Sequence, residues 1–173
     1  MSAVPTAYVF RVKLMFDKRT YRDILIRGDQ TFEQLHEAIF TAFGRYDEHL
    51  YRFTVKRTIP GIADLQKAFR QLGFPVVQRR ADKGCETLEI ASPECCDEPD
   101  SWADEQFDAA RTRIRNFDFA VKQKFEYLFD FGDEWNHEIE VVDILPVEPQ
   151  RKYPSVIKAR GDSPAQYDGP DEE

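Results

Sequence analysis

Apolar and polar residues alternate along several stretches of this chain, as they do in half-buried β-strands. The segments "YVFRVKLMF" (8–16) and "YRDILIRG" (21–28) both alternate, and the polar "DKRT" between them predicts a β-hairpin. A third strand is predicted in "HLYRFTVKR" (49–57), and a second hairpin around "ADKG", between "PVVQRR" and "CETLEIA". The last hairpin is predicted in "FEYLFDFGDEWNHEIEVVDI" (125–144), where Gly132 favours a tight turn.

Other segments have apolar residues at the three- and four-residue spacing of an amphipathic helix. The clearest is "TFEQLHEAIFTAFGR", in which Thr31 and Gln34 form a capping box and Gly44 marks the end. Residues 63–74 and residues 101–117 are predicted as two further helices. Together these elements predict an α+β fold, with a mostly antiparallel sheet of β-hairpins packed against two to three helices.

The chain length of 173 residues suits one domain with a sizeable core, which we assign to residues 1–146. An acidic loop is predicted at about residues 92–101, and an extended acidic C-terminal tail at residues 147–173. Residues 94–108 carry seven acids and the last twelve residues carry five; without them the net charge of −8 becomes +4. The remaining body therefore has no strongly basic stripe of the kind that marks many nucleic-acid-binding surfaces.

Cysteine usage and hydropathy indicate the compartment. The chain has an odd number of cysteines, namely Cys85, Cys95 and Cys96, and they form no C-x-x-C motif. This pattern favours free thiols in a reducing compartment. No stretch approaches eighteen apolar residues, and the first thirty residues lack a basic segment followed by an apolar run. We therefore expect a soluble cytoplasmic protein without a secretory signal and without a membrane partner.

The last predicted hairpin concentrates polar and aromatic residues in "FDFGDEWNH". Its D-F-G triplet is not a kinase motif, because the chain has no glycine-rich loop, no strand lysine in the required context and no catalytic H-R-D loop. Two registers are open. One places Asp130 opposite Trp135 and diagonal to His137, whereas the other pairs Tyr127 with His137 in an aromatic cluster. A slip of one residue separates the two registers.

Carboxylates and imidazoles are the ligand types that divalent metals prefer. Asp130, Asp133, His137 and, from the third strand, His49 are thus the candidate catalytic or metal-binding residues. No fixed-spacing motif such as H-E-x-x-H is present, so we assign no metal or other cofactor. In the alternative interpretation Asp130 and Asp133 cap the turn, while Trp135 and His137 are half-buried sheet residues.

A binding surface is the remaining possibility for this end of the sheet. We predict it at the rim where His49 meets the hairpin, with Trp135 and Tyr127 as its binding residues. For nucleic acid, the densest basic stretch consists of Arg111, Arg113, Arg115, Lys122 and Lys124, without a recognisable reading helix or stacking motif.

Five motifs occur in the order found in a known family: "YVFRVKL", "LHEAIFTAFG", "DEHLYRF", "YLFDFGDEWNHEIEV" and "YPSVIKARGDSPAQYDGP". On these motifs the chain resembles the plasmid pRiA4b ORF-3-like family, whose members are also described as insertion-element passengers with a resolvase-like label. The match is loose at about residues 58–120, and the tail departs from the acidic and glycine-paired family pattern. The resemblance implies a compact α+β domain without an established molecular role. No serine lies in a recombinase-like motif, so the resolvase-like label indicates genomic neighbourhood.

The interpretation that fits these observations is a binding or accessory module, associated with mobile genetic elements, rather than a defined enzyme. Its partner would be a protein or a nucleic acid. One alternative is a metal-dependent hydrolase or nuclease that uses Asp130, Asp133 and His137. The other is a nucleic-acid-binding accessory protein.

Overall fold

A computed structural model describes residues 5–58, 85–95, 103 and 105–167. In chain order the strands and the α-helix are β1 (Thr6–Leu14), β2 (Tyr21–Arg27), α1 (Phe32–Ala42), β3 (Tyr51–Thr58), β4 (Cys85–Ala91), β5 (Glu105–Asp108), β6 (Lys124–Phe129), β7 (Trp135–Pro146) and β8 (Ser155–Arg160). Short 3-10 helices occupy Pro93–Cys95 and Ile114–Phe117. The eight strands form one sheet in the order β5-β4-β3-β6-β7-β1-β2-β8.

The first hairpin and the first helix confirm the sequence predictions. β1 and β2 pair antiparallel across the predicted polar turn. α1 begins with the predicted capping box, in which the Gln34 N–H donates to Thr31 Oγ1 (3.3 Å) and the Thr31 N–H donates to Gln34 Oε1 (3.0 Å). Gly44 follows the helix at φ +66°, the left-handed conformation that ends helices.

The predicted arrangement of a mostly antiparallel hairpin sheet on two to three helices is wrong. The sheet is mixed, since β5 pairs parallel with β4, and α1 is the one α-helix in the described part of the chain. The apolar spacing that predicted a helix at residues 101–117 belongs instead to β5, a turn and a 3-10 helix. The predicted helix at 63–74, the strand "PVVQRR" and most of the acidic loop lie outside the described residues.

Pairing to the rest of the fold explains why residues 105–117 do not form an α-helix. The Ala109 N–H donates to Ala91 O (2.8 Å), which continues the pairing at the end of β4. The carbonyls of Ala109 and Thr112 accept hydrogen bonds from the N–H groups of Glu33 and Phe32, at the start of α1. These carbonyls satisfy N–H groups that every helix start leaves without an intrahelical partner.

One face of the sheet packs against α1 and carries the main core. Aromatic rings dominate this core. Its ring contacts are edge-to-face, tilted or stacked, and they join Phe10, Phe32, Phe53, Phe119 and Phe125. The opposite face carries charged pairs between neighbouring strands, namely Arg11–Asp23, Lys13–Glu140 and Lys124–Glu138. Residues after 146 add the edge strand β8, which pairs antiparallel with β2.

Candidate functional site

The β6–β7 hairpin takes the aromatic one of its two registers. Tyr127 lies opposite His137, and Phe129 lies opposite Trp135. The loop between the strands therefore comprises the five residues 130–134. Tyr127 is fully buried, and its ring centroid lies 5.2 Å from that of His137.

Asp130 shapes this loop. It adopts φ +58°, and its Oδ1 accepts hydrogen bonds from the N–H groups of Gly132 (3.0 Å) and Asp133 (3.3 Å). A Cβ on Gly132 would lie 3.3 Å from the same Oδ1, so the glycine leaves room for the capping carboxylate. The Asp133 side chain is exposed and makes no hydrogen bond within the described residues. Asp130 is thus the residue whose side chain caps the turn.

His49 and Asp130, which the sequence suggested as neighbours, do meet. His49 Nε2 lies 3.5 Å from Asp130 Oδ2, and the C-terminal segment joins this contact. The Tyr167 hydroxyl lies 2.6 Å from His49 Nε2 and donates to Asp47 Oδ2 (2.9 Å). Desolvation and the Asp47 carboxylate raise the pKa of Tyr167 to about 12, so this hydroxyl stays protonated at neutral pH.

His137 belongs to a different environment. Its ring is 2% exposed, and Nδ1–H donates to the Trp135 carbonyl (2.8 Å). Burial lowers the pKa of His137 to about 4, so the ring is neutral at pH 7. The Arg45 guanidinium stacks 3.7 Å over the half-buried Trp135 ring, which makes a cation–π contact.

The four candidate ligands therefore do not form one centre. Asp130 and His49 lie close together, whereas Asp133 is exposed to solvent. His137 donates a hydrogen bond to the Trp135 carbonyl of its own strand. Among the described residues, no group of three or more histidine, cysteine, aspartate or glutamate side chains is arranged to hold a metal ion.

A cleft beside His49 contains residues that the sequence analysis did not select. It has a volume of about 370 Å³ and lies between α1, the loop before β3 and the end of β4. We call it the acidic cleft, because Glu33, Glu37, Glu48 and Glu94 line it together with His36, His49, Leu50, Tyr51, Ser92 and Pro93. None of these four glutamates forms an ion pair with a lysine or arginine of the described chain.

Two stacked rings line the inner side of the acidic cleft. His36 and Tyr51 are nearly parallel, at 5°, with ring centroids 3.6 Å apart. His36 Nδ1 lies 2.7 Å from the Tyr127 hydroxyl, and burial lowers the pKa of His36 to about 4. The imidazole is therefore neutral at pH 7 and adds no positive charge to the cleft.

The electrostatics of the acidic cleft follow from its burial and its carboxylates. Burial raises the pKa of Glu33, and the charges of Glu37, Asp108 and Glu94 raise it further. Burial and the same acids also raise the pKa of Tyr51. Tyr51 is 5% exposed, and its hydroxyl has no hydrogen-bond partner within the described residues. A buried polar group without a partner carries a free-energy cost, so this hydroxyl is a candidate ligand contact.

One signal in the sequence pointed to the acidic cleft. Glu33 and Glu37 are like charges four residues apart on α1, a spacing that mildly destabilises a helix. Glu48 and Glu94 come from distant segments, and only the folded chain brings them to the same place.

These features define a mixed-sheet domain with a capped aromatic hairpin and an acidic cleft beside its helix. The chain belongs to the plasmid pRiA4b ORF-3-like protein family, whose model matches residues 6–169. This confirms the resemblance drawn from the five motifs.

One curated protein and one solved structure are similar to this chain. The uncharacterized protein y4hQ of Sinorhizobium fredii (strain NBRC 101917 / NGR234) is 26% identical over 164 residues, and the match covers 91% of this chain. This chain spans 65% of the length of that relative. The crystal structure of a protein of unknown function, MM3350 from Methanosarcina mazei Go1, has the same fold, with a TM-score of 0.63. That match is 16% identical and covers 95% of this chain and 74% of the other.

Within residues 5–58, 85–95, 103 and 105–167, no helix is long and apolar enough to cross a bilayer.

Proposed function

We propose that this chain is a binding module that holds an organic cation, an ammonium or guanidinium group, in the acidic cleft. The observation that carries this proposal is the placement of four glutamates around the buried Tyr51 hydroxyl, without a basic partner in the described chain. This site contains His49, which the sequence analysis had placed in a binding rim.

Each component of the acidic cleft suits a cation. Burial and the neighbouring carboxylates raise the pKa of Glu33, and a positive charge that enters between these carboxylates stabilises the ionised form of Glu33. The stacked His36 and Tyr51 rings are uncharged at pH 7, so they add no positive charge that would repel a cation. The Tyr51 hydroxyl can accept a hydrogen bond from such a group, and a bound donor would remove the cost of leaving it without a partner.

The alternatives have less support. A metal-dependent hydrolase needs converging ligands, and the described residues provide no such cluster. If a metal did bind at Asp130 and His49, Mn²⁺ or Zn²⁺ would raise the melting temperature of the wild type but not of His49→Ala. We expect no shift in either protein, and a shift confined to the wild type would favour the metal hypothesis.

The nucleic-acid alternative depends on a continuous basic surface. Two of its five basic residues are already paired, Lys124 with Glu138 (3.2 Å) and Arg111 with Asp108 (3.5 Å). These ion pairs reduce the positive potential available to phosphates. The association with mobile elements and the cytoplasmic location stay predictions from the sequence.

Isothermal titration calorimetry with agmatine and spermidine tests the proposal, with the neutral butylurea as the control ligand. We expect binding that weakens with salt and weakens about fivefold for each carboxylate removed, about 1 kcal/mol, in Glu33→Gln and Glu37→Gln. Tyr51→Phe, which removes only the hydroxyl, should also weaken binding. Glu126→Gln is the matched control, because Glu126 is exposed and does not line the cleft.

Two outcomes would refute cation binding in this cleft. One is no heat of binding at ligand concentrations up to about 10 mM, where even a weak millimolar site would fill. The other is equal loss of binding in Glu126→Gln and in the cleft variants, which would indicate a general charge effect.

A further inference from the structure

A second group of polar side chains lies on the other side of the β6–β7 hairpin. Trp135 and His137 are two residues apart on β7, so their side chains are on the same face of the sheet. Arg45, which follows α1, lies over Trp135 with its guanidinium carbon 3.7 Å from the ring centroid. The positive charge of Arg45 also contributes to lowering the pKa of His137, which is consistent with the three side chains being close together.

Arg45 is a buried cation without a matching anion. It is 6% exposed, and no carboxylate of the described chain lies within ion-pair distance of it. Nη1 donates to the Pro164 carbonyl (2.9 Å), whereas Nε and Nη2 are buried without a hydrogen-bond partner among the described residues. Burying an unpaired charge costs several kcal/mol in proteins, so a further hydrogen-bond acceptor would stabilise this guanidinium.

Neighbouring atoms share this lack of partners. Trp135 Nε1 and His137 Nε2 are also buried without a hydrogen-bond partner in the described residues. Nδ1 of His137 donates to the Trp135 carbonyl, so its Nε2 carries the free lone pair. The group therefore offers three N–H donor atoms, which are Arg45 Nε, Arg45 Nη2 and Trp135 Nε1. The fourth nitrogen, His137 Nε2, becomes a donor when it binds a proton.

We propose that Arg45, Trp135 and His137 form a second binding site, for the oxyanion of a small ligand such as a phosphate or a carboxylate. A planar guanidinium binds two oxygens side by side through Nε and Nη2, and the indole N–H is a donor without acceptor function. The partner that Arg45 already has, the Pro164 carbonyl, is an oxygen acceptor of the type the site would bind. This site is independent of the acidic cleft, which carries the opposite charge.

The C-terminal segment covers this side of the loop after α1. The Gln166 side chain accepts from the N–H groups of Tyr46 (2.9 Å) and Asp47 (3.0 Å) and donates to the Asp47 carbonyl (2.8 Å). Gln166 is 2% exposed, so the segment fits tightly against the loop. The site is thereby shielded from bulk water. In such a shielded site, hydrogen bonds to an anion are stronger than on an open surface.

The indole N–H of Trp135 provides a direct test by two-dimensional ¹H–¹⁵N NMR on the full chain. The chain has two tryptophans, and loss of one indole signal in Trp135→Phe assigns it. We expect phosphate or acetate to move this signal downfield in a saturable manner, whereas sodium chloride at the same ionic strength leaves it in place. The two titrations also distinguish a phosphate ligand from a carboxylate ligand.

Variants connect the shift to Arg45. Arg45→Lys keeps the charge but loses the paired N–H geometry, and we expect at least about a tenfold loss of affinity. Arg52→Lys is the matched control, because Arg52 also lies over an aromatic ring, 5.1 Å from the Phe131 centroid, but sits beside the Glu89 carboxylate at 3.9 Å. Thermal unfolding of the wild type and of Arg45→Lys, each in phosphate and in chloride, gives a second readout.

The proposal is overturned if phosphate and acetate shift the indole signal no more than chloride does, since the buried donors then bind water only. It is also overturned if Arg45→Lys and Arg52→Lys weaken binding equally. Phosphate also stabilises folded proteins in general by being excluded from their surface. A rise in melting temperature from chloride to phosphate therefore supports the site when it is larger in the wild type than in Arg45→Lys, and an equal rise in both proteins counts against it.

Discussion

Replacement of Asp130 by alanine should destabilise the fold, because one carboxylate organises the whole β6–β7 loop. Asp130 is 6% exposed, and its Oδ1 accepts two backbone N–H hydrogen bonds, while its Oδ2 lies 3.5 Å from His49 Nε2. Its own N–H donates to the Leu50 carbonyl (3.0 Å), which ties the loop to the start of β3. Alanine removes the two acceptor interactions and leaves the backbone to hold φ +58° without them.

The magnitude follows from these contacts. Loss of a capping side chain costs roughly 0.5–2 kcal/mol. A left-handed conformation costs about 1–2 kcal/mol for most residues, whereas aspartate and asparagine tolerate it. We therefore expect Asp130→Ala to lower the free energy of unfolding by about 2–3 kcal/mol. For a chain of this size each kcal/mol corresponds to roughly 2–4 °C in melting temperature.

Two further variants separate the causes. Asp130→Asn keeps an oxygen acceptor and tolerates positive φ, so its cost should stay below about 1 kcal/mol. Asp133→Ala removes an exposed side chain that has no hydrogen bond in the described structure, so it should stay within about 0.5 kcal/mol of wild type. Urea unfolding followed by circular dichroism measures all three. Equal costs for Asp130→Ala and Asp133→Ala would show that the carboxylate does not cap the loop.

Two other predictions concern pH and glycine. The pKa values of His36 and His137 fall to about 4 in the folded chain from about 6.5 when unfolded, so the unfolded state binds more protons between these values. Stability should therefore decrease as pH falls from about 6.5 to 4, and urea unfolding of His137→Gln should show a weaker pH dependence than the wild type. Gly161→Ala should be more destabilising than Gly44→Ala in thermal unfolding, although both glycines have positive φ. The reason is that only the Cβ at Gly161 would meet Thr20 Oγ1 and lie 3.0 Å from the Thr20 Cα. Equal losses for the two glycine variants would show that the contact with Thr20 relaxes without cost.

Local signals account for the parts of the fold that the sequence predicts. Thr31, Gln34 and Gly44 specify α1 through contacts within a few residues, so the helix is visible without any tertiary information. Residues 105–117 were assigned wrongly because β5 pairs with β4, a partner that local spacing does not reveal. In the described chain this non-local pairing outweighs the helical periodicity, as tertiary context commonly outweighs propensity.

The sites were harder to predict than the elements. The β6–β7 register differs from its alternative by one residue, and only the five-residue loop capped by Asp130 decides it. The acidic cleft needs Glu33, Glu48 and Glu94 from three separate segments, so no motif with fixed spacing encodes it. Arg45 carries no sequence signal, because its significance lies in its burial without a carboxylate partner among the described residues.

Tyr127 explains how the family hairpin relates to both proposed sites. Its hydroxyl lies 2.7 Å from His36 Nδ1, beneath the acidic cleft, while its ring packs against His137 beside Arg45. Burial and Tyr51 raise the pKa of Tyr127, whereas the charge of Arg45 lowers it. The Tyr127 hydroxyl is therefore influenced by a residue of the acidic cleft and by Arg45. In the aromatic register the uncharged Tyr127 and His137 separate the cleft carboxylates from the buried guanidinium. In the other register His137 would lie opposite Leu128 rather than Tyr127, and this aromatic pair would be lost. The aromatic pair of the hairpin motif therefore lies between the two proposed sites.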